Sequence, residues 1–540
     1  MDKFVIGIDY GTLSARALLV RVSDGAELAS AELVYPHGVM AEADICGTDA
    51  DATTALEDPE DYLEALSVTV REVVKKSGVS VENIVGLCLD CTASTPLPYL
   101  KDGTALASME KFKSDPQAYI KLWKHHGAEP EAELMTRLAK ERGEEWLSDY
   151  GGVVSAEWFF PKLAELARRS PEVFAAAERY GEAAEWLCGR ITGSYKRSAC
   201  FAGYKSLWSA ERGYPSEYLC SIFAGERAIG ERLDGEVMPL GSVIGYINAE
   251  GEALTGLKVG TAVATPVVDA HAALPAARVT HAGDLMVILG TSACHIVLSE
   301  ENVAVGGICG KVDGGVVPGF YAYEAGQPCV GDMLGWFVES CLAKSYAEQA
   351  ERLGLSKFDY LNSLAEKIEI EKLGLVALDW WNGNRSPYVN YDLSGMLVGL
   401  TLKTKPEEIY LALLSSIAYG TRRLVELYRK SGVSVERITA AGGISVKNPL
   451  FMQLLADAVG MDISVTDTKQ AGAKGSAIYA AVAAGIYPTV AEAAERMGEG
   501  CSVVYSPRKE QKAAHDGLYE IYCELSEQMA YSDIMKRLRG

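Results

Sequence analysis

The sequence predicts an α/β protein of two related domains, each built on a mixed β-sheet. Three observations point there. Strand-like apolar runs are interleaved with helical patterns, without strict βαβ alternation from the start. A strand–turn–strand unit, IGIDYGTLSARALLV at 6–20, is echoed by MVILGTSACHIVL at 286–298. That separation of about 280 residues implies duplicated domains and not a solenoid, whose period is 20–50. Finally, the 540 residues would make three or four domains at roughly 150 residues each, but two large α/β domains are equally admissible.

The elements follow in order. Phe4 to Asp9 (FVIGID) reads as a short strand ending at Tyr10-Gly11-Thr12. Ala15 to Val22 forms a second strand, Ser23-Asp24-Gly25 a hairpin turn, and Glu27 to Tyr35 a third strand. Pro59 to Ser77 has helical spacing, with Tyr62, Leu63, Leu66, Val70, Val73 and Val74 on one side. IVGLCLDC at 84–91 returns as a buried strand. From about 115 to 250 helix signals and aromatics dominate, including Trp123, Trp146, Trp158, Trp186 and Trp208. This stretch is expected to be an insertion in the first domain. KVGTAVATPVV at 258–268 is strand-like, and Asp269 opens a helix of small residues. Leu285 to Leu289 then runs into Gly290-Thr291-Ser292, and much later Ile438 to Ala441 leads into Gly442-Gly443 and a helix from Leu450.

Composition excludes whole classes. Apolar residues are 49% and charged residues 23%, which rules out disordered, collagen-like and coiled-coil chains. The net charge of −22 repels phosphate backbones and anionic headgroups, so neither nucleic acid nor a membrane surface is expected as a partner. Twelve cysteines are too sparse for a disulfide scaffold. Cys88 and Cys91 have CxxC spacing, but a strand sends residues three apart to opposite faces, and they read as core thiols. The N-terminus lacks a signal-peptide apolar region, and the small-apolar stretch at 475–487 is shorter than the ~20 residues a bilayer needs. A reducing cytoplasm is the expected location.

Three glycine turns at strand ends are the candidate chemistry. Glycine lets backbone N–H groups approach a phosphate, and neighbouring Thr and Ser hydroxyls add donors. No GxxxxGK[ST], GxGxxG or GxSxG string occurs, which disfavours P-loop, dinucleotide-binding and serine-hydrolase readings. Asp9 ends a strand beside Gly11, where a carboxylate suits a hydrated Mg²⁺ on a polyphosphate; a turn-capping role is the alternative. Arg16 would balance phosphate charge, or lie on the surface. Asp269, ahead of a helix, is either an N-cap or a base for a substrate hydroxyl. Lys205 and Glu324 sit in aromatic, small-residue runs and suit either an edge position or polyol hydroxyls. His125, His126 and His271 lack a third ligand at metal spacing and are read as structural or substrate-lining.

Taken together, DYGTLSAR at 9–16, VDAHAALPA at 268–276, GTSACH at 290–295, YEAGQ at 323–327 and AAGGISVKNPL at 440–450 resemble the FGGY carbohydrate kinases. KLWKHHGA at 121–128, AGYKSLW at 202–208 and LDWWNGNRSPYVN at 378–390 narrow the resemblance to members that phosphorylate L-ribulose at O5 with ATP and Mg²⁺, in L-arabinose breakdown. The resemblance runs from about residue 4 to about 500. It implies two actin-like, ribonuclease-H-like domains with a nucleotide and sugar cleft between them. The expected domains are 1–257, with sugar binding, the first phosphate loop and the helical insertion, and 258–540, with the catalytic base and ATP binding. By resemblance, Asp9 belongs to the metal site, and Gly11, Thr12 and Arg16 to the first phosphate loop. Thr291 and Ser292 match a second phosphate hairpin, and Gly442, Gly443 and Asn448 an adenosine-binding turn. Asp269 matches the catalytic base, and Ala93, Trp123, Lys205 and Glu324 the sugar pocket. Lys474 and Thr54 depart from the pattern, the first close to the expected nucleotide side and the second read as packing. A kinase for D-ribulose, xylulose or ribitol, and a non-catalytic nucleotide-gated sugar sensor, stay open as alternatives. The partners expected are a small sugar and ATP; a homodimer is compatible with the sequence, which does not display oligomeric state.

Overall fold

The computed structural model describes residues 2–47, 53–223, 229–233 and 235–539. In chain order the elements used below are β1 (Phe4–Tyr10), β2 (Ser14–Arg21), β3 (Glu27–Val34), α1 (Pro59–Ser77), β4 (Ile84–Cys91), α2 (Phe159–Arg169), α3 (Ala199–Lys205), β5 (Val243–Tyr246), β6 (Ala262–Ala264), β7 (Val267–Val268) and α4 (Asp269–Ala276). They continue with β8 (Asp284–Leu289), β9 (Ala293–Ser299), β10 (Gly310–Asp313), β11 (Tyr321–Gln327), α5 (Gly331–Trp336), α6 (Pro406–Lys430), β12 (Arg437–Ala441), α7 (Gly443–Lys447), α8 (Pro449–Val459), β13 (Ile463–Thr466), α9 (Ala471–Ala483) and β14 (Cys501–Tyr505).

The chain forms two compact units. The first contains Met1–His281, Lys311–Ala322 and Thr468–Gly500; the second contains Ala282–Gly310, Tyr323–Asp467 and Cys501–Gly540. These ranges correct the expected boundary at 257/258. β6 and β7 hydrogen-bond in parallel with β4, so residues 262–268 complete the first sheet. Helix α9, drawn from late in the chain, also packs in the first unit. Its small residues permit this: a Cβ on Gly7 of β1 would lie 1.8 Å from the Ala473 carbonyl oxygen, and one on Gly475 would lie 1.7 Å from that of Ala272. Neither position has room for a side chain, so strand, α9 and α4 meet backbone to backbone.

The first sheet runs β5-β6-β4-β1-β2-β3, with β7 also on β4. Its opening meander is antiparallel, and β1 pairs with β4 in parallel. α1 starts as its sequence suggests, with Pro59 in its first turn behind the Asp58 cap, and it ends at Gly78 in the left-handed conformation. It buries Tyr62, Leu63, Leu66, Val70 and Val73. The helix-rich stretch has its own apolar core, with Trp146, Trp158, Phe159, Phe160, Tyr180 and Tyr218 among its members. Each such aromatic contributes roughly 1.5–3 kcal/mol by leaving water.

The second unit is built on the strand order β11-β9-β8-β12-β13-β14, with β11 from Tyr323 onward. Its β8–β9 pair is antiparallel, while β8–β12 and β12–β13 are parallel. The LDWWNGNRSPYVN segment is a packing motif of this unit. Trp380 is fully buried, Asp379 accepts from Gln327 and Tyr522, and the Asn384 and Asn390 backbones pair across the loop.

Candidate active site

In the first unit, parallel pairing brings carboxylates together at the carboxyl ends of the strands. Asp9 of β1 is the register partner of Asp90 of β4, and Val268 of β7 is the partner of Cys91. Asp269 therefore leaves β7 one residue beyond the end of β4, close enough for its charge to act on Asp90. Burial, followed by the charge of Asp9, pushes the Asp90 carboxyl well above the usual range, and burial raises Asp9 as well. Ser476 of α9 donates to Asp90 Oδ2 at 2.7 Å, and a carboxyl hydrogen bond links Asp90 to Asp9. Gly472, in the first turn of α9, faces both groups: a Cβ there would sit 2.9 Å from Asp9 Cγ and 3.1 Å from Asp90 Oδ1. Asp269 is the first residue of α4, not its N-cap, which is Val268; its Oδ1 accepts from the Ala270 N–H at 2.7 Å. It is half-buried in place.

The first glycine turn lies on the same strand end. Gly11 N–H donates to the Ser14 carbonyl at 3.0 Å, closing the β1–β2 turn with Thr12 in it. Trp123 donates from its indole N–H to Thr12 Oγ1 at 3.1 Å, so a residue matched to the sugar and one matched to phosphate are in contact. Arg16 is the cross-strand partner of Asp9 and holds Glu32 through a 2.8 Å ion pair. Ala93 lies two residues past the end of β4 and is half-buried, and Lys205 ends α3, which packs near β7.

The histidines have partners of their own. His125 Nε2 lies 2.7 Å from Glu165 with both side chains buried, and His126 lies 3.2 Å from Glu157. His271 Nδ1 lies 3.1 Å from Cys200 Sγ and its ring packs on Tyr204. Lys474 is buried inside the first unit, where its ammonium donates to the Gly25 carbonyl and stands 3.6 Å from both Glu27 and Glu499. It tethers the β2–β3 turn, which explains why a charge is tolerated at an otherwise apolar position. Thr54 is half-buried between Thr53 and Ala55, whose backbones bond the segment at 122–126.

The second unit carries the other two glycine turns. Gly290 N–H donates to the Ser292 carbonyl at 2.9 Å, leaving Thr291 exposed at the tip. The Thr291 carbonyl accepts from Val330 N–H at 2.8 Å, which fixes the hairpin to the start of α5. Gly442 has φ +96°, and a Cβ there would lie 2.2 Å from the Leu289 carbonyl oxygen, so both conformation and space demand glycine. Gly443 follows, exposed, as the first residue of α7. Asn448 is buried and caps α8: its Oδ1 accepts from Phe451 N–H at 3.0 Å and its Nδ2 donates to Tyr410. Glu324 is buried on β11, where its carbonyl accepts from Cys309 N–H.

Among the described residues no group of three or more His, Cys, Asp or Glu is disposed to hold a metal ion. A magnesium ion needs less, because it keeps several waters and takes one or two carboxylates plus substrate phosphates. Asp9 and Asp90, adjacent at the strand ends, fit that requirement. Asp90 and Ser476 are the residues that sequence reasoning missed. IVGLCLDC was read as strand core, yet an aspartate one residue from the end of an apolar strand is the same signal that singled out Asp9.

The N-terminal domain of the FGGY family of carbohydrate kinases matches residues 4–275, and its C-terminal domain matches residues 285–484. The chain is 42% identical over 535 residues to ribulokinase from Bacillus licheniformis, covering 98% of this chain and 97% of the relative. It is 42% identical over 543 residues to ribulokinase from Mycolicibacterium smegmatis, covering 99% and 96%. Among solved structures, xylulose kinase from Rhodospirillum rubrum superposes with a TM-score of 0.79 at 20% identity, covering 97% of this chain and 99% of that one. Glycerol kinase from Plasmodium falciparum, solved with ADP, gives 0.78 at 17% identity, covering 98% and 99%. The paired sheets share the fold of these sugar kinases, and by sequence the chain belongs to the FGGY family of carbohydrate kinases.

Proposed function

We propose that this chain transfers the γ-phosphoryl group of ATP to the terminal hydroxyl of L-ribulose, giving L-ribulose 5-phosphate and ADP in L-arabinose breakdown. The observation that carries the chemistry is the convergence of Asp9, Asp90 and Asp269 at adjacent strand ends. Phosphoryl transfer asks little covalent chemistry of a protein: one carboxylate to take the hydroxyl proton, with positioning and charge neutralisation around it. Substrate identity rests on the ribulokinase relatives at 42% identity.

In this reading the residues divide the work. Asp269 accepts the proton of the attacking hydroxyl, its carboxylate oriented by the bond that Oδ1 accepts from the Ala270 N–H. Asp9 and Asp90 would hold the magnesium ion, which supplies neutralisation of phosphate charge when bound. The turn at Gly11 and Thr12, with Arg16, receives the transferring phosphate, and Thr291 and Ser292 receive the polyphosphate. Gly442 and Gly443 let the adenosine lie against bare backbone, while Asn448 holds the following helix in place. Ala93, Trp123, Lys205 and Glu324 bind the sugar.

The test is steady-state ADP release with Mg-ATP and a panel of L-ribulose, D-ribulose, D-xylulose, ribitol and glycerol. The expected result is a kcat/KM for L-ribulose well above the others. A preference for another polyol contradicts the substrate and keeps the mechanism. Silence across the panel with ATP still bound contradicts the enzyme.

A further inference from the structure

Lys162 lies on the buried face of α2, where every residue from Phe159 to Leu166 is buried, and its own side chain is fully enclosed. A lysine in such a place needs acceptors, and its Nζ finds two backbone carbonyls: Ser94 at 2.7 Å and Leu122 at 2.7 Å. These carbonyls belong to segments 28 residues apart in sequence. Each immediately adjoins a residue matched to the sugar: Ser94 follows Ala93, and Leu122 precedes Trp123.

Both segments are otherwise arranged for precise placement. Ser94 has φ +59°, a conformation disfavoured for a residue with a side chain, so the turn after β4 persists only where its surroundings hold it. From the other side, Glu182 accepts from Thr95 N–H and from Thr95 Oγ1 at 2.9 Å. Beyond Leu122, Trp123 reaches Thr12 of the phosphate turn. One lysine side chain thus joins the Ala93 turn to the Trp123 segment, and through Trp123 to the first phosphate turn.

We propose that Lys162 is a positioning residue for sugar recognition: without touching substrate, it fixes the spacing between Ala93 and Trp123. This rests on the proposed function. The Nζ hydrogen bonds act in a buried interior, where losing them takes the lysine donor from the Ser94 carbonyl, leaves the Leu122 carbonyl only its bond from the His125 N–H, and removes the tie between the two segments.

The experiment is steady-state kinetics on wild type and Lys162→Met, varying L-ribulose and ATP in turn, with melting temperatures measured alongside. Methionine keeps the apolar stem and removes the donors. The expected result is a KM for L-ribulose raised at least tenfold with the KM for ATP within twofold of wild type. A purely structural lysine would lower the melting temperature and leave the sugar KM within twofold, which overturns the proposal. If the Met variant is recovered unfolded, Lys162→Gln, which keeps an N–H donor on a shorter stem, is expected to raise the sugar KM by a smaller factor; an unchanged KM there overturns the proposal equally. A wild type that turns over with Lys162→Met indistinguishable from it contradicts the positioning role alone. A wild type that never turns over L-ribulose contradicts the proposed function and the role with it.

Discussion

The two units share a strand plan and fill it with different chemistry. In each, an antiparallel hairpin closes through a short Gly-containing turn, and its first strand pairs in parallel with a later one. Asp9 stands opposite Arg16 and Asp90 in the first unit; at the matching place in the second, Ile288 stands opposite Cys294 and Ala441. Charged side chains thus occupy the strand ends of the first unit, and small or apolar residues with bare backbone occupy those of the second. A duplicated sheet offers the same sockets twice, and in the proposed function side chains assign one set to protons and metal and the other to the nucleotide. The comparison also shows why fold alone does not assign function: the strand pairing is common to both, and only the residues at its ends differ.

The sharpest way to break that division is Asp269→Asn, which keeps shape and removes the proposed base. Its kcat is expected to fall by about 10³ or more, with L-ribulose affinity within a few-fold of wild type, measured by rapid-quench turnover and sugar titration. Gly442→Ala probes the opposite unit. The added Cβ meets the Leu289 carbonyl and opposes φ +96°, so the KM for ATP should rise about tenfold, a loss of ~1.4 kcal/mol, with the sugar KM unchanged.

Stability against pH sharpens the comparison with a smaller effect. In the first unit, burial pushes the Glu57 carboxyl up to about 8, although Tyr62 donates to it. The folded state then binds the proton that the unfolded chain has released, so this group's contribution falls as pH rises from about 4.5 to about 8. In the second unit, burial pushes His295 down to about 3, so its contribution falls as pH drops below about 6.5. Urea unfolding of Glu57→Gln is expected to gain on wild type by roughly 1.4 kcal/mol per pH unit between pH 6 and 8. A pH-independent difference would contradict the buried-acid assignment.

What was legible in the sequence follows from how local each signal is. The strand ends carrying Asp9 and Asp269 stood out because a carboxylate after an apolar run is conspicuous along the chain. The hairpins at Gly11 and Gly290 were visible for the same reason. Asp90 was hidden because its importance comes from its neighbour across the sheet, not from its own flanks. The unit boundaries were hidden likewise: residues 468–500 return to the first unit through contacts of Gly7 and Gly475, which are hundreds of residues apart. Lys474 looked like a nucleotide-side oddity until its partners Gly25, Glu27 and Glu499 were known. Lys162 gave no local sign at all, since a lysine in a helical FFPKLAEL run has the appearance of an ordinary surface charge.

The most direct measurement of the division of labour is ADP binding to the Asp269→Asn variant by calorimetry, set beside its turnover of L-ribulose with Mg-ATP. The expected result is an ADP affinity within about threefold of wild type, ~0.7 kcal/mol, together with turnover lowered about a thousandfold or more. Turnover near the wild-type rate would remove Asp269 from the chemistry and, with it, the assignment of catalysis to the strand ends of the first unit.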